Sequence, residues 1–544
     1  MGIATALFAI AAAAIATAWA WLGATVQMPP SPLGAGGKLY CVSYTPFRGA
    51  QTPLGPDVPV DPRQIDEDLA QLKHITDCVR TYSVDHGLDQ IAGIAKRHGM
   101  KVLQGLWLSN LPELSRKQVG TAITLAQQFP DVIAAVIVGN EVLLRGEMAA
   151  PDLVRTIREV KAQVAMPVTY ADVWEFWLRY RDVASVVDFV TIHILPYWED
   201  FPIPARNAAA HVDAIHAQMV RAFPGKDVFV GEFGWPSAGR MREGALPSPV
   251  NQARSMHEVL DHAKRENYRV NLIEAYDQPW KRRLEGTVGG HWGLFDAYQR
   301  EPKFAWGGLV SNHPHWPWQA AGGVGLATII LASALAVRRR IGTAVDTSCW
   351  LRIGTISIVA GILIGWTVAN VPVESLTVAD WLRNVAWAAT ALTSPVVVAV
   401  AAVSGVTAPC FAQMLGRAAH RPRELAALAL GVLLIALAVL SVQAALGLVF
   451  DPRYRDFPFA PLTAATVPLL LLKKAKPAVK ASLLARWKQR LQAPAAESAI
   501  AATLTASAVY IICNESLANW QAIWFSTALL ALAFTLLQAR GVPG

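Results

Sequence analysis

Charge is what this chain has least of. Only 16% of its 544 residues are Asp, Glu, Lys or Arg, against 53% hydrophobic, and a chain so composed cannot keep its whole length in water. It is also too long for one compact domain, so part of it belongs in a bilayer. Cysteines number five and show no C-x-x-C spacing, which excludes a disulfide framework and a structural zinc site. Cys41 and Cys78 fall near the first two predicted strands. A disulfide between them is compatible with an oxidising compartment, but the residue types favour two small core side chains. No Gly-rich phosphate fingerprint opens a helix, which argues against a doubly wound nucleotide-binding sheet. The apolar spans hold almost no ionisable residue, which disfavours transport through a side-chain relay. No Asp-x-Asp stands on a cytoplasmic segment to serve a nucleotide-sugar synthase. No His/Cys/Asp cluster points to a metal, and no cofactor is implied. The net charge of +8 does not indicate nucleic acid, because the basic residues flank apolar spans instead of forming a polar, aromatic-interleaved surface.

What is present divides the chain. Residues 1–28 read as a membrane anchor: Ile3 to Ala24 is almost wholly apolar, longer than a signal-peptide core, so an uncleaved anchor is favoured over a cleaved signal. Residues 29–37 are a Pro/Gly/Ser linker. Residues 38–311 alternate short apolar runs with amphipathic segments. The predicted strands are Leu39–Tyr44, Val79–Ser83, Lys101–Ser109, Val132–Glu141, Pro167–Asp172, Asp188–Pro196, Asp227–Gly234 and Val270–Asp277. Helical periodicity lies between most of them, at Pro62–His74, Gln90–His98, Arg116–Phe129, Ala150–Val164, Ala205–Phe223 and Pro249–Glu266. Eight strands in this length, most followed by a helix, predict an α/β fold, a closed (β/α)₈ TIM barrel.

A connector, residues 312–318, leads to a membrane domain, 319–544, of about seven transmembrane helices. The predicted spans are Gln319–Val337, Ile353–Val371, Val385–Val406, Leu425–Val449, Pro461–Leu472, Ser498–Cys513 and Trp520–Leu537, the fifth being short. Arg338–Arg340, then Arg417, Arg421 and Arg423, then the basic run Lys473 to Arg490 all fall on one side if seven spans cross. Positive residues are retained in the cytoplasm. The barrel would then face outward, on the side away from the cytoplasm, in a multi-pass membrane protein.

Two apolar strands run straight into acids. Val132–Val138 precedes Gly139-Asn140-Glu141, and Val228–Val230 precedes Gly231-Glu232-Phe233-Gly234-Trp235-Pro236-Ser237. In a barrel, the C-terminal strand ends build the active site, and the fourth and seventh strands face each other across the mouth. Two facing carboxylates are what cleavage of a glycosidic bond requires. Aromatic residues at strand ends suit a saccharide cleft, since sugar C–H faces pack on rings: Tyr44, Trp107, Trp174, Tyr197, Trp198, Trp235 and Trp280. Arg80, His193, Asp172 and Asp277 are polar companions. His193 lies within the sixth strand and reads as a satisfied core histidine rather than a catalyst.

These two motifs resemble those of glycoside hydrolase family 17, the β-1,3-glucanases and glucanosyltransferases, within the clan of retaining (β/α)₈ glycosidases. The resemblance covers roughly Lys38 to Phe304. It implies that Glu141 is the general acid/base, Glu232 the nucleophile, and Asn140 a donor to the sugar 2-hydroxyl. By analogy with the clan it makes Tyr197 a partner of the nucleophile. Phe233 departs from the small residue that usually follows the nucleophile, and Glu274 to Lys281 matches the end of the eighth strand only loosely. The arrangement of a barrel tethered to apolar spans resembles the bacterial membrane-bound members of that family, including those acting in cyclic β-1,3/1,6-glucan synthesis. The implied activity is a β-glucan glucanosyltransferase, with hydrolysis as the alternative and a non-catalytic glucan-binding membrane scaffold as the reading from a different class. The implied partners are a β-glucan, the membrane and a membrane glucan synthase.

Overall fold

The computed structural model describes residues 2–34, 36–56, 58–342, 344–416, 424–472 and 495–538. They form two compact units, Thr25–Val310, and Met1–Ala24 with Ser311–Gly544.

The first unit begins with a two-residue strand, β1 (Val26–Gln27), paired antiparallel with β10 (Leu309–Val310). Residues 26–28, expected to belong to the anchor, are therefore part of this unit, with Met28 buried against Val250 and Ala253. Between β1 and β10, eight parallel strands close into a barrel in sequence order: β2 (Cys41–Ser43), β3 (Cys78–Arg80), β4 (Lys101–Leu106), β5 (Ile133–Asn140), β6 (Val168–Val173), β7 (Val190–His193), β8 (Val228–Phe233) and β9 (Val270–Leu272). All eight predicted strands are present, most of them shorter than the apolar runs that announced them.

Helices α2 (Pro62–Leu72), α3 (Ile91–His98), α4 (Pro112–Gln128), α5 (Ala150–Lys161), α7 (Ala208–Ala222) and α8 (Pro249–Arg265) surround the barrel. Two further helices, α6 (Trp174–Arg179) and α9 (Arg282–Gly289), were not expected, being too short to show a period. Proline opens α2 and α8, where its missing N–H costs nothing, and the Asp61 and Ser248 side chains cap the first turns. Helix α2 shows the packing logic: Ile65, Leu69 and Leu72 recur on one face and are all buried.

Strand alternation sorts the core into two layers. Val42, Val79, Val136, Val190 and Val228 point out toward the helices, whereas Cys41, Cys78, Leu103, Ile137, Ala171 and Phe229 form a separate cluster pointing in. Cys41 and Cys78 are joined by a disulfide, contrary to the expectation of two free core thiols. The reason is register: Val42 pairs with Val79, so the preceding inward-facing cysteines meet on neighbouring strands.

In the second unit, helix α1 (Gly2–Leu22) buries Ala4, Ala11, Ile15 and Trp19, and packs on α10 (Trp316–Ile341) and α11 (Thr347–Glu374). The backbones of α10 and α11 come so close that a Cβ on Gly323 would lie 2.1 Å from the Gly361 carbonyl oxygen, the small-residue contact typical of membrane helices. Helices Val378–Ser404, Leu425–Phe450, Ala495–Glu515 and Trp520–Gln538 complete six long helices after the barrel, and with α1 make seven long and apolar enough to cross a membrane among the described residues. The remaining predicted span is the helix Phe459–Leu471, whose 13 residues reach only about 20 Å, short of a hydrocarbon core about 30 Å thick. The clusters around Arg417 to Arg423 and Lys473 to Arg490 lie outside the described residues.

Candidate active site

Both glutamates reach the barrel mouth through a break in strand register. In β8, regular alternation would put Glu232 on the outer face with Val228 and Val230. However, Ile192 pairs with Val230 while the next residue, His193, pairs with Glu232, and on the other side Val230–Phe233 spans Val270–Leu272. The extra residue turns Glu232 inward and returns Phe233 to the outer core, where it is fully buried. In β5, three residues from Ile137 to Asn140 match two from Thr169 to Ala171. Gly139 takes up the excess at φ +89° and Glu141 follows at φ +52°. Such irregularities re-aim side chains at sites of function.

The side chains so aimed form one network around Arg80, which is fully buried. Its Nη1 donates to Glu232 Oε1 at 3.0 Å and to the Gly231 carbonyl at 2.6 Å. Its Nη2 donates to Asn140 Oδ1 at 2.6 Å and lies 3.2 Å from His193 Nε2. A guanidinium can only donate, so Nε2 is the acceptor and the imidazole proton is on Nδ1. That Nδ1 stands 2.8 Å from Glu141 Oε1 and donates to it. Tyr82 donates its hydroxyl to Glu232 Oε1 at 2.8 Å. Thus Oε1 of each glutamate is held by protein donors, whereas Oε2 of each accepts no hydrogen bond from the described residues. The ligand atoms of Glu141, His193 and Glu232 lie within 4.8 Å of one another.

Burial pushes the Glu141 carboxyl up, but the His193 hydrogen bond and the charges of Arg145 and Arg80 outweigh it and hold the group below the usual range. Burial and the Glu232 charge push the Tyr82 phenol well up, so it stays a proton donor. A third acid, Glu274, is buried at the end of β9 with Lys281 Nζ 2.7 Å from its Oε1. Burial, reinforced by the charges of Glu285 and Asp277, pushes it up to about 7 despite Lys281.

The structure brings Glu141, Asn140, Arg80 and Glu232 together and distributes the other predicted residues around or away from them. Trp107 is 38% exposed, with the Arg145 guanidinium 4.0 Å from its ring centroid, and Arg145 in turn donates to the Asn140 and Leu108 carbonyls. Trp198 stacks parallel to Trp292 at 6.5 Å. Trp174 and Trp280 are partly exposed and donate to Glu199 and Gln278.

Five of the residues expected at the cleft are held by other contacts. Tyr44 points outward, fully buried, with its hydroxyl on Asp68. Trp235 is fully buried and donates to the Leu246 carbonyl. Asp277 is clamped by Lys303 and the Gly293 N–H. Asp172 faces outward beside Tyr170, accepts from Tyr170 and the Val173 N–H, and is pushed up to about 6 by burial and the Glu141 charge. Tyr197 donates to the Arg240 carbonyl; the tyrosine on Glu232 is Tyr82. His193, expected as a polar companion and more often a core histidine than a catalyst, touches both acids. Period-two alternation from Arg80 was the signal for Tyr82, and the strand-end position that drew attention to the glutamates was the signal for His193.

The Glu141, His193 and Glu232 atoms have the spacing of a metal site, but the fixed cation Arg80 bonds two of the three. The trio is built around a guanidinium, and the donor set does not fit a metal.

Residues 41–293 match the family model described as the BtgE/BtgC glycoside hydrolase domain. A glucan 1,3-β-glucosidase of Arthroderma benhamiae is 28% identical over 266 residues, covering 45% of this chain and 84% of that protein. The glucan 1,3-β-glucosidase of Saccharomyces cerevisiae is 25% identical over 252 residues, covering 42% and 80%. The crystal structure of a glycoside hydrolase family 17 β-1,3-glucanosyltransferase from Rhizomucor miehei shares 27% identity, spans 49% of this chain and 97% of that one, and has a TM-score of 0.43.

Proposed function

We propose that the protein is a membrane-bound, retaining β-glucan glucanosyltransferase acting on β-1,3/β-1,6-linked glucan outside the cytoplasm, a reading supported by the match of residues 41–293 to the BtgE/BtgC glycoside hydrolase domain model. The observation that carries the reading is the spacing of the Glu141 and Glu232 carboxylates, an oxygen of each lying within 4.8 Å of the other. Retention requires carboxyls about 5 to 5.5 Å apart, whereas inversion needs about 6.5 to 9.5 Å to admit a water.

In this reading Glu232, ionised beside Arg80, attacks the anomeric carbon through Oε2. The bond to the leaving oxygen breaks as Glu141 gives that oxygen its proton. A sugar hydroxyl, losing its proton to Glu141, then attacks the glucosyl ester and frees Glu232. Asn140, its Oδ1 committed to Arg80, presents its NH₂ to the sugar 2-hydroxyl. Trp107 and Trp198 offer ring faces to neighbouring sugar units.

Seven apolar helices support the membrane assignment. The disulfide inside the barrel supports an oxidising compartment such as the periplasm, and Arg338–Arg340 at the far end of α10 support a cytoplasmic location for that end. Tethering suits the remodelling of a glucan as it leaves a membrane synthase. Hydrolysis remains the second reading, favoured by the glucosidase names of the two fungal relatives. Incubation of the detergent-solubilised protein with laminari-oligosaccharides separates the two. Products longer than the substrate are expected, and shorter products alone would overturn transfer.

A further inference from the structure

We propose that His193 is the positioning residue of Glu141: by donating from Nδ1 to Oε1, with Nε2 closed to protons by Arg80, it directs the cycling proton to Oε2, the oxygen that faces the substrate. The proposal rests on the assignment of Glu141 as acid/base.

A carboxylic acid can carry its proton on either oxygen, and only one of the two positions can reach a leaving group in the cleft. Oε1 of Glu141 accepts from His193 Nδ1 at 2.8 Å, so a proton placed there would face a donor. The alternative store for the proton, His193 Nε2, is 3.2 Å from Arg80 Nη2, and a proton there would set two donors against each other. Nε2 also lies 3.4 Å from Glu232 Oε1, but that oxygen already accepts from Arg80 and Tyr82. His193 has no exposed side-chain surface, so its ring cannot turn to water. The proton therefore enters and leaves at Glu141 Oε2, with no separate imidazolium.

The groups facing Glu141 are Arg80 from β3, Arg145 from the following turn, Asp172 from β6, His193 from β7 and Glu232 from β8. Arg80, Arg145 and His193 favour the ionised acid. Burial and the negative charges of Asp172 and Glu232 oppose ionisation. Of the favourable three, only His193 bonds the Glu141 carboxylate, so it should move the alkaline limb of the rate profile, where Glu141 loses its proton.

The test is the pH dependence of kcat/KM for transfer between laminari-oligosaccharides by the full chain in detergent, with Glu141→Gln as the reference. His193→Ala should move the alkaline limb up by about one pH unit and lower kcat more than it raises KM. His193→Asn, whose amide nitrogen can occupy the Nδ1 position, should keep the parent limb. If His193→Ala does not fold, His193→Gln, which reaches the Nε2 position instead, takes its place. A folded His193→Ala or His193→Gln protein with the parent limb, or an Asn variant shifted as far as Ala, overturns the proposal. Unchanged activity in Glu141→Gln would overturn the acid/base assignment itself, and so separates the two failures.

Discussion

At the scale of residues, the site works by committing one oxygen of each acid and leaving the other open. Glu232 Oε1 is held by Arg80 and Tyr82, which fix the carboxylate; in the proposed mechanism Oε2 is the atom that attacks. Removing the Tyr82 hydroxyl deletes one hydrogen bond to a charged group, about 1.5 to 3 kcal/mol. Tyr82→Phe should therefore lower the unfolding stability by about that amount and, by loosening Glu232, lower kcat/KM as well, as calorimetry and initial rates can check. Glu274 makes a separate prediction. Its carboxyl is raised to about 7 from the ordinary glutamate value of 4.5, so between those limits the native state binds more protons than the unfolded chain. Stability should then fall as pH rises through that window and level off above it. Glu274→Gln should flatten this slope in thermal unfolding between pH 4.5 and 7; an unchanged slope would show that Glu274 is not its source.

At the scale of elements, the register breaks in β5 and β8 decide which side chains enter the mouth. A Cβ on Gly139, at φ +89°, would stand 2.7 Å from Val142 Cγ2. Gly139→Ala should cost roughly 1 to 3 kcal/mol in denaturant unfolding and displace Glu141, lowering transfer by more than the loss of folded protein explains. The same elements show what the sequence could and could not convey. Apolar runs ending in Glu141 and Glu232 were legible because both the strand and its terminal acid are local. Strict alternation, however, assigns Glu232 to the face of Val228 and Val230, and only pairing with β7 and β9 reveals the extra residue. The Cys41–Cys78 disulfide and the His193–Arg80 contact were hidden for the same reason, since each depends on strands far apart in the chain. Tyr44 and Asp277 misled because a strand-end position does not say which way a side chain points.

At the scale of the whole molecule, hydropathy marked where the chain changes solvent but not how often it crosses. The helix Phe459–Leu471, with 13 residues, is the ambiguous passage. If the chain crosses there, Lys473–Arg490 shares the side of Arg338–Arg340; if it does not, that basic run lies opposite. Retention of positive charge favours the first arrangement. A reporter fused after Gln538 should therefore be active as a cytoplasmic fluorescent protein and inactive as an exported phosphatase. The reverse pattern would mean that Phe459–Leu471 does not carry the chain across.

The most direct test of the account is to trap the covalent intermediate. A 2-deoxy-2-fluoro-β-glucoside with a good leaving group should inactivate the detergent-solubilised protein and leave one fluoroglucosyl mass on the peptide containing Glu232, absent from Glu232→Gln. A label on another residue, or transfer activity that survives in Glu232→Gln, would contradict the assignment of Glu232 as the nucleophile.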